Sequence, residues 1–327
     1  MNDDTLPPEV LAFGEAMALF VAETPGALAD VECFRRGIAG ADTNVAIGLA
    51  RLGFRVGWLS RVGSDGFGAY LRRALETEGL DCRYLREDPD QATGLVFKER
   101  AEGGADPRVA YFRRGSAASH MAPGDAEQID FTAARHLHAT GIPPALSDSC
   151  RELTRHMLDQ AHAHGASISF DPNLRPSLWP SEAAMRDTLN AMAAKADWVL
   201  PGLAEGRLLT GLDTPRDIAD FYLERGAKAV FLKLGPEGAY YRGVLDGREA
   251  EATVPGFPVA HVVDTVGAGD GFAVGVISAL LDGLSSQAAT RRGNLIGAEA
   301  VQVQGDMEGL PSRTRLTELE RNLPDLP

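Results

Sequence analysis

An open α/β sheet, mostly parallel and covered by helices on both faces, is the fold class this sequence predicts. Three observations carry that expectation. Short runs rich in β-branched and apolar residues alternate with helix-length segments along most of the chain. Many of those runs are apolar throughout, as strands buried on both faces are. Several lead into loops of glycine, aspartate and asparagine, and ligands of such sheets sit at the carboxyl ends of the strands.

Taken in order, the first strand is expected at 10–14 and a second apolar run at 18–22, ended by Thr24-Pro-Gly26. A small-residue loop over 37–44 is expected to open a helix at 45–52, which Gly53 terminates. A strand at 56–62 follows, and Gly63-Ser-Asp-Gly-Phe67 leads into a helix ending near Gly79. Residues 93–99 and 108–114 are strand-like and flank the turn-rich Ala101-Glu-Gly-Gly-Ala-Asp-Pro107. This hairpin stands outside the βα rhythm and is expected to form a flap or lid.

The rhythm resumes with a strand at 136–140, a helix at 147–164 and a strand at 166–170 that ends in Asp171-Pro-Asn-Leu-Arg175. A helix begins after Ser181, whose hydroxyl can cap it. Further strands are expected at 198–200 and 229–232. Helices are expected after Gly267 and over 286–303, the last stopped at Gly305. The whole chain, 1–327, reads as a single domain with lid segments near 15–36 and 92–115.

Composition narrows the function. With 327 residues and 44% hydrophobic content, the chain can bury an ordinary core without staples. Its three cysteines are far apart and form neither a metal spacing nor a disulfide framework, which fits a reducing cytoplasm. No window approaches the ~20 apolar residues of a membrane span, and the acidic start at 1–8 is unlike a signal peptide. A formal net charge of −14 argues against nucleic acid or anionic membrane as partner. An anionic substrate would have to be caught by a local arginine cluster, against the global field.

The stretch Asp264-Thr-Val-Gly-Ala-Gly-Asp-Gly-Phe272 puts a glycine-rich turn before an apolar run, with Asp270 at the junction. Freed backbone N–H groups and a helix start make a site for an anion such as phosphate. An acid there repels the anion unless it takes part in the chemistry, which points to phosphoryl transfer. The alternative is a first-turn acid that merely favours the helix dipole, worth about 0.3–1 kcal/mol. Gly271, Gly275 and Ala279 form a small-residue stripe expected to pack closely on the sheet.

Other phosphate and dinucleotide motifs are missing. There is no Gly-x-x-x-x-Gly-Lys-Ser/Thr loop, and Gly267-Ala-Gly-Asp-Gly-Phe272 departs from the dinucleotide fingerprint at Phe272. The protein-kinase motifs are absent. His162 and His164 cannot share a helix face at i, i+4; with His136 and His138 on a strand, they read as structural or solvated.

The 264–272 stretch resembles the carboxy-terminal signature of the ribokinase-like (PfkB) carbohydrate kinases. Gly37-Ile-Ala-Gly-Ala-Asp-Thr-Asn-Val-Ala46, with Arg51-Leu-Gly53 and Gly63-Ser-Asp-Gly-Phe-Gly68, resembles their amino-terminal signature, and Lys233-Leu-Gly-Pro-Glu-Gly238 their nucleotide loop. The three lie in family order. The resemblance implies a ribokinase-like fold in which Asp270 is the catalytic base and the N–H groups of Gly267, Ala268 and Gly269 form the anion hole. It implies nucleotide contacts from Lys233, Gly235, Gly238, Gly267 and Asn294; Asn294 could equally be a polar surface position. ATP and Mg²⁺ are implied as cofactors, with no direct protein ligand to the metal and Glu205 acting through water at most.

Tyr111-Phe-Arg-Arg-Gly-Ser-Ala117, Leu137-His-Ala-Thr-Gly-Ile142, the 171–179 loop and Gly305-Asp-Met-Glu-Gly309 are similar to members of the family that act on 2-keto-3-deoxygluconate. By that resemblance Gly40, Tyr111, Arg113, Arg175 and Asp306 contact a sugar acid. A guanidinium suits a carboxylate, while the alternative for Arg113 is a solvated hairpin charge. Leu19 stands where fructose- and ribose-type relatives commonly carry an acid. Two departures stand out: Gly202 replaces the amide of an Asn-x-x-Glu motif, and Val96 or Phe97 stands where relatives often show an aromatic. Asp264 is expected to orient the turn.

The implied partners are a small-molecule sugar acid and ATP, with a homo-oligomer expected. The rival readings are a fructokinase or other sugar kinase, a non-catalytic sugar- or nucleotide-binding regulator, and a dinucleotide oxidoreductase, the last weakened by Phe272.

Overall fold

In the computed structural model, which describes residues 6–100, 108–245 and 247–323, the unbroken apolar run Val10–Phe13 is strand β1, with every side chain buried. The turn expected at 101–107 lies outside the described residues. After β1 come β2 (Met17–Pro25), β3 (Phe34–Ala39), α1 (Ala41–Arg51), β4 (Val56–Gly63) and α2 (Gly66–Thr77). Three strands follow, β5 (Leu85–Asp88), β6 (Leu95–Arg100) and β7 (Val109–Phe112).

The alternating part then runs β8 (His136–Thr140), α3 (Pro143–Leu146), α4 (Asp148–Ala163), β9 (Ser167–Asp171), α5 (Glu182–Ala193) and β10 (Trp198–Val199). It continues through α6 (Leu203–Thr210), α7 (Pro215–Leu223) and β11 (Ala229–Lys233) to the hairpin β12 (Ala239–Leu245) and β13 (Arg248–Val254). Three helices close the chain, α8 (Ala268–Leu281), α9 (Ser286–Ala300) and α10 (Arg313–Arg321). Serine hydroxyls start several of these helices; Ser181 Oγ accepts from Ala184 N at 3.1 Å, as its position predicts.

Nine strands form the main sheet in the order β13-β12-β11-β10-β9-β8-β1-β4-β5. All its pairs from β11 to β5 are parallel, and β12 and β13 add an antiparallel edge. Val10 of β1 lies opposite Val56 on one side and His136 on the other. One core, around Trp58 and Phe231, is covered by α1, α8 and α9; the other, around Phe13 and Phe170, by α4, α5 and α7. This is the covered, mostly parallel sheet expected from the alternation. Among the described residues, no helix is long and apolar enough to cross a membrane.

A second sheet of four strands, in the order β3-β2-β6-β7, stands apart. Its two faces follow from strand alternation. Leu19 and Val96 pair across β2 and β6 and are buried. Their neighbours Phe20 and Phe97 pair on the opposite face, with rings stacked 4.9 Å apart.

Two expectations need correction, and several strands had no expectation at all. Residues 37–44 are not a loop: Gly37 to Ala39 end β3, and α1 begins at Ala41, leaving Gly40 as the only joint. β3 and β13 were not legible because their polar, largely exposed residues lack the apolar runs of buried strands, and in β12 Arg242 and Gly243 follow a buried run of only three residues, Ala239 to Tyr241. The Gly271/Gly275 stripe faces α9, not the sheet. A Cβ on Gly275 would lie 2.5 Å from Gly293 Cα, and one on Gly271 3.2 Å from the Ile296 carbonyl oxygen. A small-residue stripe at helical spacing signals close approach without naming the neighbour.

Candidate active site

The chain leaves β13 at Val254 and reaches α8 through an irregular segment whose last turn is Gly267, with φ at +83°. Only glycine is comfortable there. A Cβ on Gly267 would also sit 2.2 Å from the Asp306 carbonyl oxygen. Asp264 braces the turn from within: its Oδ1 accepts Val266 N–H at 3.1 Å, and its Oδ2 accepts Gly305 N–H at 3.4 Å. The orienting part expected of Asp264 is therefore visible. The first N–H groups of α8, including Ala268 and Gly269, lack intrahelical partners by construction and converge on the turn.

Asp270 occupies the first turn of α8 and is 8% exposed. Its Oδ2 accepts from Asn44 Nδ2 at 2.7 Å and its Oδ1 from Asn173 Nδ2 at 3.4 Å. Burial raises its pKa to about 7; the Asn44 hydrogen bond and Lys233 oppose the rise, while Asp171 and Asp306 add to it. A first-turn acid serving only the helix dipole would not need two side-chain amides from α1 and the 171–175 loop. Asn44 comes from the quoted amino-terminal stretch, but nothing local to it announced Asp270 as partner.

On one side of this turn lies a cavity of about 440 Å³. Gly40, Tyr111, Arg113, Arg175 and Asp306, the five residues expected at the substrate, all line it. Gly40 has φ at +146°, and a Cβ there would meet the Glu15 carbonyl oxygen at 2.4 Å. Arg113 is no solvated hairpin charge. Its guanidinium is buried and pairs with Glu15 Oε2 at 2.5 Å, while its buried Nε has no hydrogen-bond partner. Ser116 Oγ donates to the other Glu15 oxygen.

Arg175 is half-buried and uses Nη1 on the carbonyls of Asn173 and Leu174, at 3.4 and 2.9 Å. Leu19 and Val96 supply an apolar wall; Phe97 faces away. Three charged residues in this wall were not found by sequence reasoning: Glu15, Asp42 and Lys98. Asp42 is fully buried, its pKa raised to about 7 by burial against a Thr140 hydrogen bond, and its Oδ1 has no partner. Asp42 lies within the amino-terminal stretch Gly37–Ala46 and Glu15 and Lys98 within the expected lid segments, but nothing local to any of the three marked a cavity-facing charge.

On the other side is a cleft of about 670 Å³ with mostly apolar walls. Gly235, Gly238, Ala268 and Asn294 line it, together with Phe257 and Gly297. Lys233, Thr265 and Gly269 line both spaces, so the two meet at the phosphate turn. Lys233 Nζ pairs with Asp171 Oδ2 at 2.6 Å, and a Cβ on Gly269 would lie 3.6 Å from the same Nζ. Asn294 is buried, not a surface residue. Its amide donates to the carbonyls of Val254 and Pro255 at 3.0 and 3.1 Å, which leaves Oδ1 as an acceptor.

Glu205 lines the first cavity with both oxygens engaged, accepting from Leu174 N–H at 2.8 Å and Gly202 N–H at 2.7 Å. Gly202 therefore offers no side-chain group where an amide was expected, and its N–H is taken up by Glu205. Away from the site, His136 and His138 are buried and share Ser169 Oγ at 2.9 and 2.8 Å. Burial pushes both imidazoles well down and keeps them neutral. They are structural side chains of the main sheet.

Comparison with known proteins gives a consistent result. The family described as pfkB family carbohydrate kinase matches residues 7–313. The 2-dehydro-3-deoxygluconokinase of Bacillus subtilis is 51% identical over 309 residues, 94% of each chain. Among solved structures, a PfkB protein from Polaromonas sp. JS666 superposes with a TM-score of 0.86 at 52% identity, covering 95% of this chain and 99% of that one. A putative ribokinase II from E. coli in complex with ATP and Mg²⁺ superposes at 0.85 with 28% identity, covering 97% and 100%.

Proposed function

The chain belongs to the pfkB family of carbohydrate kinases, and on that premise we propose that it transfers the γ-phosphoryl group of ATP to the terminal hydroxyl of 2-keto-3-deoxygluconate. The products are the 6-phospho sugar acid and ADP. One observation carries the reading: two cavities of substrate size meet at a glycine turn, and the only acid in that turn's first helical residues is a buried carboxylate held by two amides. The 51% identity to a named 2-dehydro-3-deoxygluconokinase supports the choice of sugar.

In this reading the adenine side of ATP enters the apolar cleft, where Asn294 Oδ1 can accept from a base amino group and Gly235 and Gly238 let the nucleotide approach the backbone. The γ-phosphoryl group reaches the N–H groups of Gly267, Ala268 and Gly269, beside Lys233. Asp270 accepts the proton of the sugar hydroxyl as its oxygen attacks phosphorus. Most of the rate then comes from alignment and charge neutralisation. When bound, Mg²⁺ supplies further neutralisation of the phosphates. Glu205 would hold its water shell, since each oxygen keeps a second lone pair.

The sugar carboxylate is recognised by Arg113 and Arg175, with Tyr111, Gly40 and Asp306 completing the pocket. Arg113 is held by Glu15 and has a buried N–H still to satisfy. Leaving such a donor unpaired costs about 1–3 kcal/mol, which a bound carboxylate would offset. Leu19 gives a neutral polyol nothing to bind. An ADP-release assay over sugar acids and neutral ketoses tests the substrate. The expected result is strong preference for the acid, and Arg113→Ala should raise its KM by roughly 10- to 100-fold, the worth of a charge-assisted bond. Preference for fructose, or an unchanged KM in the variant, would overturn the carboxylate reading in favour of another sugar kinase.

A pH prediction follows from Asp270. Its pKa is raised to about 7, so the acceptor form is lost as pH falls through that value. Asp171, Asp306, Lys233 and Asn44 face it and titrate with it or tune it. The expected kcat/KM profile rises through about 7, far above an ordinary carboxylate. A profile flat down to about pH 5 would remove Asp270 as the titrating base.

The whole chain, 1–327, is read as one domain whose small sheet, near 15–36 and 92–115, covers the sugar side. It acts in the cytoplasm, in keeping with three free cysteines, one of them exposed. Assembly as a homo-oligomer is proposed on the aromatic outer face of the small sheet, where Phe112 is 64% exposed. A monomer at all concentrations in analytical ultracentrifugation would refute it.

A further inference from the structure

We propose that Lys98 is a positioning residue for phosphoryl transfer, tying the seating of the small sheet to the charge balance of the phosphate turn. The inference rests on the site reading above. Lys98 sits in β6 between Val21 and Val109 of the neighbouring strands, on the face that covers the sugar cavity. Its side chain is only 4% exposed. Nζ donates to Asp264 Oδ2 at 2.5 Å and to Asp306 Oδ1 at 3.1 Å.

Those two carboxylates belong to separate segments that converge on Gly267. Asp264 holds the turn through the N–H groups of Val266 and Gly305. Asp306 places its own carbonyl against the bare Cα of Gly267. A single ammonium therefore joins the small sheet, the turn that carries the proposed anion hole, and the closing loop.

The charges explain why this joint bears on the reaction. Two buried carboxylates beside a phosphate site repel the incoming group, and one ammonium offsets half of that repulsion. The cluster keeps Lys98 charged against the desolvation that opposes its charge; burial pushes Asp306 up, while Lys98 draws it back. Glu308 adds a further negative charge from the same loop. Without Lys98 the turn would keep its shape only by accepting two uncompensated acids, the costly state of a broken buried pair. Because the ammonium is delivered by the small sheet, the turn is electrostatically ready for phosphate only when that sheet is seated over the sugar cavity.

A merely structural ion pair makes a different prediction, and a charge-balance cycle separates the two. We would measure kcat, sugar KM and melting temperature for Lys98→Met, Lys98→Arg, Asp264→Asn and the double variant Lys98→Met/Asp264→Asn. Lys98→Met is expected to lower kcat by roughly 10²-fold with sugar KM within about threefold, and Lys98→Arg to recover most of the loss. Asp264→Asn should lower kcat in the parent but raise it in the Lys98→Met background, where it removes an uncompensated charge. If Lys98→Met does not fold, Lys98→Gln takes its place in both arms.

A folded charge-removed variant with kcat within about twofold of the parent would overturn the proposal. So would Asp264→Asn lowering kcat equally in both backgrounds. Failure of the site reading shows elsewhere: it would appear as full activity of Asp270→Asn, or as no ADP release from the parent on any sugar.

Discussion

Asp270→Asn is expected to lower kcat by roughly 10²–10⁴, the usual contribution of a positioned general base. That is about 3–5 kcal/mol of transition-state stabilisation. Asparagine is nearly isosteric, and its side-chain oxygen can still accept from Asn44 Nδ2, so the pocket should keep its shape. It removes a carboxylate whose ionisation burial opposes, so the melting temperature should hold or rise while activity falls. Sugar KM should move little, because the lost interaction is made as the proton transfers and not on binding. Initial-rate kinetics beside thermal unfolding separate these outcomes. Near-normal turnover in a folded Asp270→Asn protein would remove this residue from catalysis.

Gly267→Ala should cost a similar amount for a different reason. The residue sits at φ +83°, where an alanine pays about 1–2 kcal/mol of backbone strain. Its Cβ would also meet the Asp306 carbonyl oxygen at 2.2 Å, and a backbone atom cannot swing aside as a side-chain end can. Either the turn or the 305–306 loop must move, and both carry ligands of the Lys98 cluster. The N–H groups that would hold the transferred phosphoryl are then misaimed. Losing one such donor costs about 10²–10³ in kcat. Gly269→Ala is the informative contrast, since its Cβ would make only an ordinary contact, 3.6 Å from Lys233 Nζ. It should lose far less. Equal losses at the two positions would mean that the geometry of Gly267 is not what matters.

Much of the site was legible because its chemistry is written locally. A turn that needs positive φ and close backbone approach calls for glycines in sequence, and a helix start after it calls for an apolar run; Gly267 to Phe272 meets both requirements within six positions. The same holds for Ser181 at the start of α5 and for the apolar strands β1, β4 and β11. Illegible elements were those whose stability comes from a partner. The polar strand β3 is a strand because β2 offers it hydrogen bonds, not because its residues alternate cleanly. The surroundings of Arg113 were not legible for the same reason: Glu15, which pairs with it, is 98 residues away by sequence number.

The sequence by itself determined a covered, mostly parallel sheet, a glycine turn made for an anion, and an acid placed at that turn. These follow from backbone geometry and side-chain period, which act over a few neighbouring residues. The tertiary structure alone decided that the small-residue face of α8 meets α9, that Asp270 is held by amides from α1 and from the distant 171–175 loop, and that Lys98 balances Asp264 and Asp306 across 166 and 208 residues. Charge and packing act through distance in space, and the folded chain sets that distance.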